Sequence, residues 1–240
     1  AGIQADIESI LANNCSSVSA VTALTVQSLD QGVRTIIPQK NSDFASQMHS
    51  ILNEISITAI KIGVLADLDI LKNTIEILEQ INVPIVFDPV VRASSGFNFC
   101  NQSMIETIQN RLIPLCTLIT PNKQEADTLT GQSSPELAAK HFQSIGCNNI
   151  LITSVIDNSE IVKHSLFKTD TEISFQFPKL HNEYHGSGCT LSSAICAQLA
   201  LGETIESAVK LGLEFTWQSL KHAQIHKHNI YLPNRFYFSK

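Results

Sequence analysis

The chain has 240 residues, 43% of them hydrophobic and 16% charged, with a formal net charge of -6. That composition gives a globular chain with a large core. With no Lys/Arg run and no apolar stretch near the roughly 20 residues of a membrane span, it excludes a nucleic-acid footprint and a spanning helix. Cys15, Cys100, Cys116, Cys147, Cys189 and Cys196 form no C-x-x-C pair and match no zinc spacing. They are expected to be reduced thiols of a cytoplasmic protein, and no signal peptide is visible.

The chain opens at Ala1-Gly2-Ile3 without a methionine and enters an amphipathic pattern at Ile3, Ile7, Ile10 and Leu11. A segment is therefore expected upstream. Val18–Val26 predicts a strand, and Ser28–Pro38 a loop able to act as a lid. Phe44–Ile55 predicts a helix with Asp43 as its cap. Thr58–Ile62 predicts a strand, Asp67–Ile81 a helix, and Pro84–Phe87 a buried strand ending at Asp88-Pro89. Ser103–Leu112 predicts a helix and Thr117–Ile119 a strand ending at Thr120-Pro121-Asn122. Pro135–Ile145 predicts a helix capped by Ser134, with Pro135 in its first turn. Asn149–Thr153 predicts a strand. Ser165–Phe167 and Glu172–Phe177 then flank a turn, which predicts a hairpin. Two helices follow, Cys189–Leu201 and Thr204–His222, before an irregular aromatic tail over Asn229–Lys240. The alternation predicts one α/β domain over residues 1–240, with a mostly parallel central sheet flanked by helices on both faces.

Open α/β sheets bind ligands beyond the carboxyl ends of their strands. The polar residues expected there are Gln27, Gly63, Asp88, Asn122, Glu125 and Thr153. Asp88, Asn122 and Glu125 carry groups that suit Mg²⁺ and its waters. A helical start after Asn122 puts Asn122 and Glu125 on one face, where they serve equally as a capping pair. Gly186-Ser187-Gly188-Cys189 opens a late helix. Glycines there let backbone amides converge on an oxyanion, and the helix end favours negative charge. Cys189 sits where that field draws a thiol pKa down. The bland alternative is a Gly-Ser-Gly turn with an inert cysteine. Cradle and carboxylates together point to phosphoryl transfer or phosphate-ligand binding. There is no G-x-x-x-x-G-K-[ST] and no early G-x-G-x-x-G, so neither a P-loop enzyme nor a dinucleotide-binding fold is expected.

Ala1-Gly2-Ile3-Gln4-Ala5-Asp6, Lys61-Ile62-Gly63, Asp88-Pro89-Val90, Thr120-Pro121-Asn122 with Glu125-Ala126, and Gly186-Ser187-Gly188-Cys189-Thr190 follow in that order. Across nearly the whole chain this resembles the hydroxymethylpyrimidine/phosphomethylpyrimidine kinases of thiamine biosynthesis, in the ribokinase-like superfamily. The resemblance implies ATP- and Mg²⁺-dependent phosphorylation of 4-amino-5-hydroxymethyl-2-methylpyrimidine and then of its monophosphate, in a homodimer. It implies a strand and a glycine pair ahead of Ala1. Gly186, Ser187, Gly188 and Cys189 then match the anion hole, with Cys189 as base. Gln27 matches the residue on the pyrimidine edge. Ala1, Gly2 and Asp6 match the substrate-side segment, and Val64 a position against the ring. Asp88 and Glu125 match the metal-side carboxylates, and Asn122 a nucleotide contact.

Three departures stand out. Thr153-Ser154 replaces a K-G-G-H-like run and looks more like pyridoxal kinases, so both residues are expected beside the nucleotide. A late helical lysine aligns with Leu213, which leaves Lys210, one turn earlier, as its substitute. A glycine-rich tail is replaced by His226–Pro233. The alternatives are a pyridoxal/pyridoxine kinase of the same fold and a degenerate paralogue that binds the pyrimidine without turning it over.

Overall fold

The computed structural model describes residues 1–28, 31–93 and 96–238. The first helix, α1 (Gly2–Ala12), buries Ala5 and Ser9. Next, β1 (Ala23–Ser28) and β2 (Gly32–Pro38) pair antiparallel in a sheet of their own, with Leu24 opposite Ile37. The strand expected over Val18–Val26 thus starts at Ala23, and the expected lid loop is largely β2, with residues 29 and 30 outside the described residues. Four of the six β1 residues are exposed, so this apolar run never joins the central sheet. In α2 (Asn41–Glu54) the capping position falls on Lys40, and Asp43 lies inside the first turn. There its carboxylate still faces the positive helix end.

The remaining elements are β3 (Ile60–Ile62), α3 (Leu68–Leu78), β4 (Ile85–Phe87), α4 (Gln102–Thr107), β5 (Leu118–Ile119), α5 (Lys123–Thr130), α6 (Pro135–Ser144), β6 (Ile150–Asp157), β7 (Ile161–Phe167), β8 (Glu172–Pro178), α7 (Ser187–Ala200), α8 (Ile205–Lys221), β9 (Gln224–Ile225) and β10 (Tyr231–Leu232). Asp67 caps α3 by accepting the Ile70 N–H at 2.9 Å, and Ser134 caps α6 with Pro135 at its first position. The helix expected over Ser103–Leu112 tightens and widens along its length, with α4 passing into a π turn over Ile108–Leu112. The tail is not wholly irregular, because β9 and β10 pair within it.

The central sheet runs β3-β4-β5-β6-β7-β8. Its first four strands are parallel, and β7 and β8 turn antiparallel at one edge. Side chains alternate across a strand, so each strand feeds two cores. Ile85 and Phe87 pack with Phe44, Ile70, Leu71 and Phe142 on one face. Val86, between them, packs with Leu191, Ile195 and Val209 on the other. Burial on both faces explains why these strands read as unbroken apolar runs.

Beyond the strand ends the backbone stays stitched. The Asp88 N–H donates to Ile62 O at 2.9 Å, the Thr120 N–H to Phe87 O at 3.0 Å, and the Thr153 N–H to Pro121 O at 2.9 Å. These bonds bring Asp88, Asn122 and Thr153 to one rim.

Helices α7 and α8 cross at Gly212, where a Cβ would come within 2.5 Å of Ile195 Cγ1 and 3.2 Å of the Ile195 backbone nitrogen. Ile195 is fully buried and has nowhere to go. Gly212→Ala is expected to destabilise the fold by about 1–3 kcal/mol despite the better helix propensity of alanine. Urea unfolding checks this, and a midpoint at or above wild type would contradict it.

Candidate active site

One cleft of about 1810 Å³ opens along that rim. It is roomier than a pocket for one small ligand. Ala1, Gly2, Asp6, Gln27, Val64, Asp88, Asn122, Glu125, Thr153, Ser154, Gly186, Ser187, Gly188 and Cys189 all line it. Residues from both ends of the sequence thus meet on one surface. Lys210 does not join them. It is exposed on α8 with its ammonium 4.0 Å from Glu214, while Leu213 lines the cleft. It lies one residue past the buried Val209, a rotation of about 100° that turns it to solvent.

Helix α7 begins at Gly186, whose φ of 91° favours glycine. A Cβ there would meet Ala1 Cα and N at 3.1 Å. Ser187, Gly188 and Cys189 are the first three residues of the helix, so their amides have no intrahelical partner. The mouth faces β4, since a Cβ on Gly188 would lie 3.8 Å from both Asp88 carboxylate oxygens.

Beneath the mouth lies a buried ammonium. Lys61 Nζ sits 2.8 Å from Asp6 and 3.8 Å from Asp88, with its side chain 5% exposed. A Cβ on Gly63 would fall 2.8 Å from that nitrogen, so this glycine makes room for it. Ser193 Oγ donates to Asp6 at 2.8 Å and Ser192 Oγ to Asp88 at 3.2 Å, tying both carboxylates to α7. Burial works against the Lys61 charge, but the Asp6 and Asp88 carboxylates outweigh it and hold the lysine protonated. Burial also raises Asp88. In the sequence Lys61 stands out only as part of Lys61-Ile62-Gly63. The signal for a role was a lysine inside a strand that is otherwise apolar, a residue rarely buried without a partner.

The Cys189 thiol lies beside Asp88 and the Gly2 amide, which both act on its charge. The expected low thiol pKa does not appear. Burial pushes it up, Lys61 pulls it down, and Asp88 and Asp6 push it up again.

On the next strand, Asn122 and Glu125 form a reciprocal capping box. The Glu125 N–H donates to Asn122 Oδ1 and the Asn122 N–H to Glu125 Oε2, both at 2.9 Å. Capping leaves the rest of the Glu125 carboxylate toward the cleft. Burial and the charge of Asp88 push its pKa up to about 8. Asp88 and Glu125 thus repel across a gap that, among the described residues, no cation fills as closely as Lys61 fills the gap to Asp6. A hard divalent cation fits that donor set, and Mg²⁺ takes only one or two carboxylates beside phosphates and water.

The far wall comes from β6, β7, β8 and α8. Ser154 has a φ of 55°, an uncommon conformation for serine, and its amide donates to His164 Nδ1 at 3.3 Å. The His164 and Phe177 rings lie 6.0 Å apart, and Phe177 stacks on Trp217 at 6.3 Å. All three rings line the cleft. Gln27 Nε2 on the hairpin lies 3.4 Å from His185 Nε2, just ahead of the mouth.

Against known proteins, residues 1–233 match the phosphomethylpyrimidine kinase family. A hydroxymethylpyrimidine/phosphomethylpyrimidine kinase of Haemophilus influenzae is 32% identical over 233 residues, 92% of this chain and 86% of the relative. Among solved structures, a pyridoxal kinase from Staphylococcus aureus in complex with ADP aligns with a TM-score of 0.90 at 25% identity, covering 100% of this chain and 90% of that one. A phosphomethylpyrimidine kinase from Clostridium difficile aligns at 0.78 and 29%, covering 90% and 92%. The class these define is the ribokinase-like kinases, phosphotransferases built on a central sheet with flanking helices. Within it, the chain belongs to the phosphomethylpyrimidine kinase family.

Two measurements probe this site. Lys61→Met strands buried Asp88 and half-buried Asp6 and is expected to cost about 3–5 kcal/mol of stability by denaturant unfolding; a loss under about 1 kcal/mol would contradict the shared ammonium. Because the thiol pKa is raised, Cys189 is neutral at neutral pH. Its alkylation by iodoacetamide, followed by peptide mass mapping, should be slow there and climb about tenfold per pH unit to beyond about pH 9. A plateau below about pH 8.5 would contradict it.

Proposed function

We propose that the chain phosphorylates 4-amino-5-hydroxymethyl-2-methylpyrimidine and its monophosphate with ATP, in thiamine biosynthesis. The observation that carries this reading is the meeting of the Gly186–Cys189 mouth with Asp88, Glu125 and Gln27 in one cleft. Membership of the phosphomethylpyrimidine kinase family supports it. The names of the Haemophilus influenzae, Streptomyces coelicolor and Escherichia coli relatives support the same substrates.

In this reading Gln27, Val64 and the Ala1–Asp6 segment hold the pyrimidine. Its hydroxymethyl group lies toward Cys189. The hydroxyl oxygen bonds to the γ-phosphorus as the β–γ bridging bond breaks, giving the phosphorylated pyrimidine and ADP. The proton of the hydroxyl passes to the Cys189 sulfur once the thiol has ionised. The amides of Ser187, Gly188 and Cys189 receive the charge gathering on the transferred group. Asp88 and Glu125 would hold Mg²⁺, whose chemistry when bound is to neutralise charge on phosphate oxygens. Asn122, Thr153 and Ser154 face the nucleotide, and the His164–Phe177–Trp217 wall flanks it.

A pyridoxal kinase is the second reading, favoured by the TM-score of 0.90 to the Staphylococcus aureus enzyme. Both substrates offer a hydroxymethyl group on a small ring, so one cleft suits both. We further propose a homodimer through the hairpin, where one face carries exposed Leu24, Val26 and Ile37. Six free thiols suit a reducing cytoplasmic compartment.

A coupled ADP-release assay with the pyrimidine, its monophosphate and pyridoxal tests this. Higher kcat/KM for the pyrimidine is expected, and Cys189→Ala should lower kcat by about 10²–10⁴-fold. Preference for pyridoxal would favour the second reading. Equal turnover by wild type and Cys189→Ala would remove the base.

A further inference from the structure

The tail after α8 runs back to the mouth of α7. The His185 N–H donates to Tyr231 O at 3.1 Å, and the Tyr231 N–H donates to Glu183 O at 3.0 Å. The Asn234 N–H donates to Ser219 O at 2.9 Å, anchoring the tail on α8. These bonds fix the approach to Gly186 and bring Arg235 behind it. Nothing in the sequence marked this arginine, which sits in a short aromatic tail.

Arg235 is buried, at 7% exposure. Its Nε donates to Thr190 Oγ1 at 2.9 Å, and that hydroxyl donates to Gly186 O at 2.8 Å. Its Nη1 pairs with Glu8 on α1 at 2.8 Å. Its Nη2 is buried without a hydrogen-bond partner, and a Cβ on Gly186 would come within 3.3 Å of that nitrogen. A hydroxyl has one hydrogen and rotates freely. With the guanidinium donating into its lone pair, the Thr190 hydrogen must point at Gly186 O. One rigid plane thus joins α1, the turn at Gly186 and the second turn of α7. The unspent arm leaves positive charge against the turn, beside amides that already favour an anion.

We propose that Arg235 is a positioning residue for phosphoryl transfer. Through Thr190 it pins the left-handed turn at Gly186. Its charge stands behind the amides of Ser187, Gly188 and Cys189, which hold the migrating phosphoryl group. Arg235 does not line the cleft and touches no substrate, so it acts through Gly186. The proposal rests on the kinase reading above.

A misaimed mouth fails the transition state more than the ground state, so the effect falls on kcat. Arg235→Lys keeps a charge but cannot span Thr190 and Glu8. It should lower kcat by about tenfold to a hundredfold while KM for nucleotide and pyrimidine moves less than about threefold. Adding guanidinium ion to Arg235→Ala should restore part of its kcat at a concentration that leaves wild type unaffected. Thr190→Val, which keeps the Glu8 pair, should show the same kcat defect and covers the case in which Arg235→Ala fails to fold. Wild-type kcat in Arg235→Lys or Thr190→Val overturns the proposal. So does a kcat loss that follows the unfolded fraction in thermal melts with no rescue. A wild type that turns over neither pyrimidine nor pyridoxal overturns the kinase reading first, and that is seen without any variant.

Discussion

The structure depends on one ammonium group held inside a β-strand. Lys61 points from β3 under the mouth of α7, where Asp6 of α1 and Asp88 beyond β4 meet it. Burying such charges costs several kcal/mol per ion unless each finds close partners. Those partners come from two places distant in the chain. Ser192 and Ser193 add a third by binding the same carboxylates from α7. None of these groups can shift alone without leaving a buried charge uncompensated. The charge beneath the mouth thus ties α7 to Asp88 through Ser192.

The sheet supplies the second constraint. Four parallel strands bring all their carboxyl ends to one rim, so Asp88, Asn122 and Thr153 arrive there through topology alone. The change to antiparallel at β7 and β8 closes the rim on one side. It carries a register break between Ile152 and Ile156, and Ser154 takes its left-handed conformation inside that break. Uncommon backbone at a cleft wall is where such strain is found in functional sites. Here it turns the Ser154 amide to His164 and lets β6 leave the rim, while β8 and α8 contribute the aromatic wall.

The parallel core was legible in the chain because period and punctuation agree. Buried runs end at Asp88-Pro89 and Thr120-Pro121, and Ser134 caps the helix at Pro135 as its residue type suggests. Most of the cleft was legible too, since motif residues cluster at strand ends. What escaped reading was long-range. The hairpin of β1 and β2 looked like one strand and a loop, because exposed apolar alternation resembles burial in a single chain. Lys210 looked one turn from useful, but helical rotation sends it to solvent. Arg235 carried no local signal, since its partners Thr190 and Glu8 lie 45 and 227 residues away in sequence. The thiol pKa was misjudged by weighing the helix end without the two carboxylates and the burial.

That last point bears on why a thiol suits this position. Lys61 offsets one of the two carboxylates around it, and the charge of Asp88 already raises Glu125. A third carboxylate at the mouth of α7 would add a further anion within reach of Asp6 and Asp88. A thiol adds none while protonated. The same burial that keeps it neutral makes its ionised form a strong base, because a raised pKa measures proton affinity as well as reluctance to ionise.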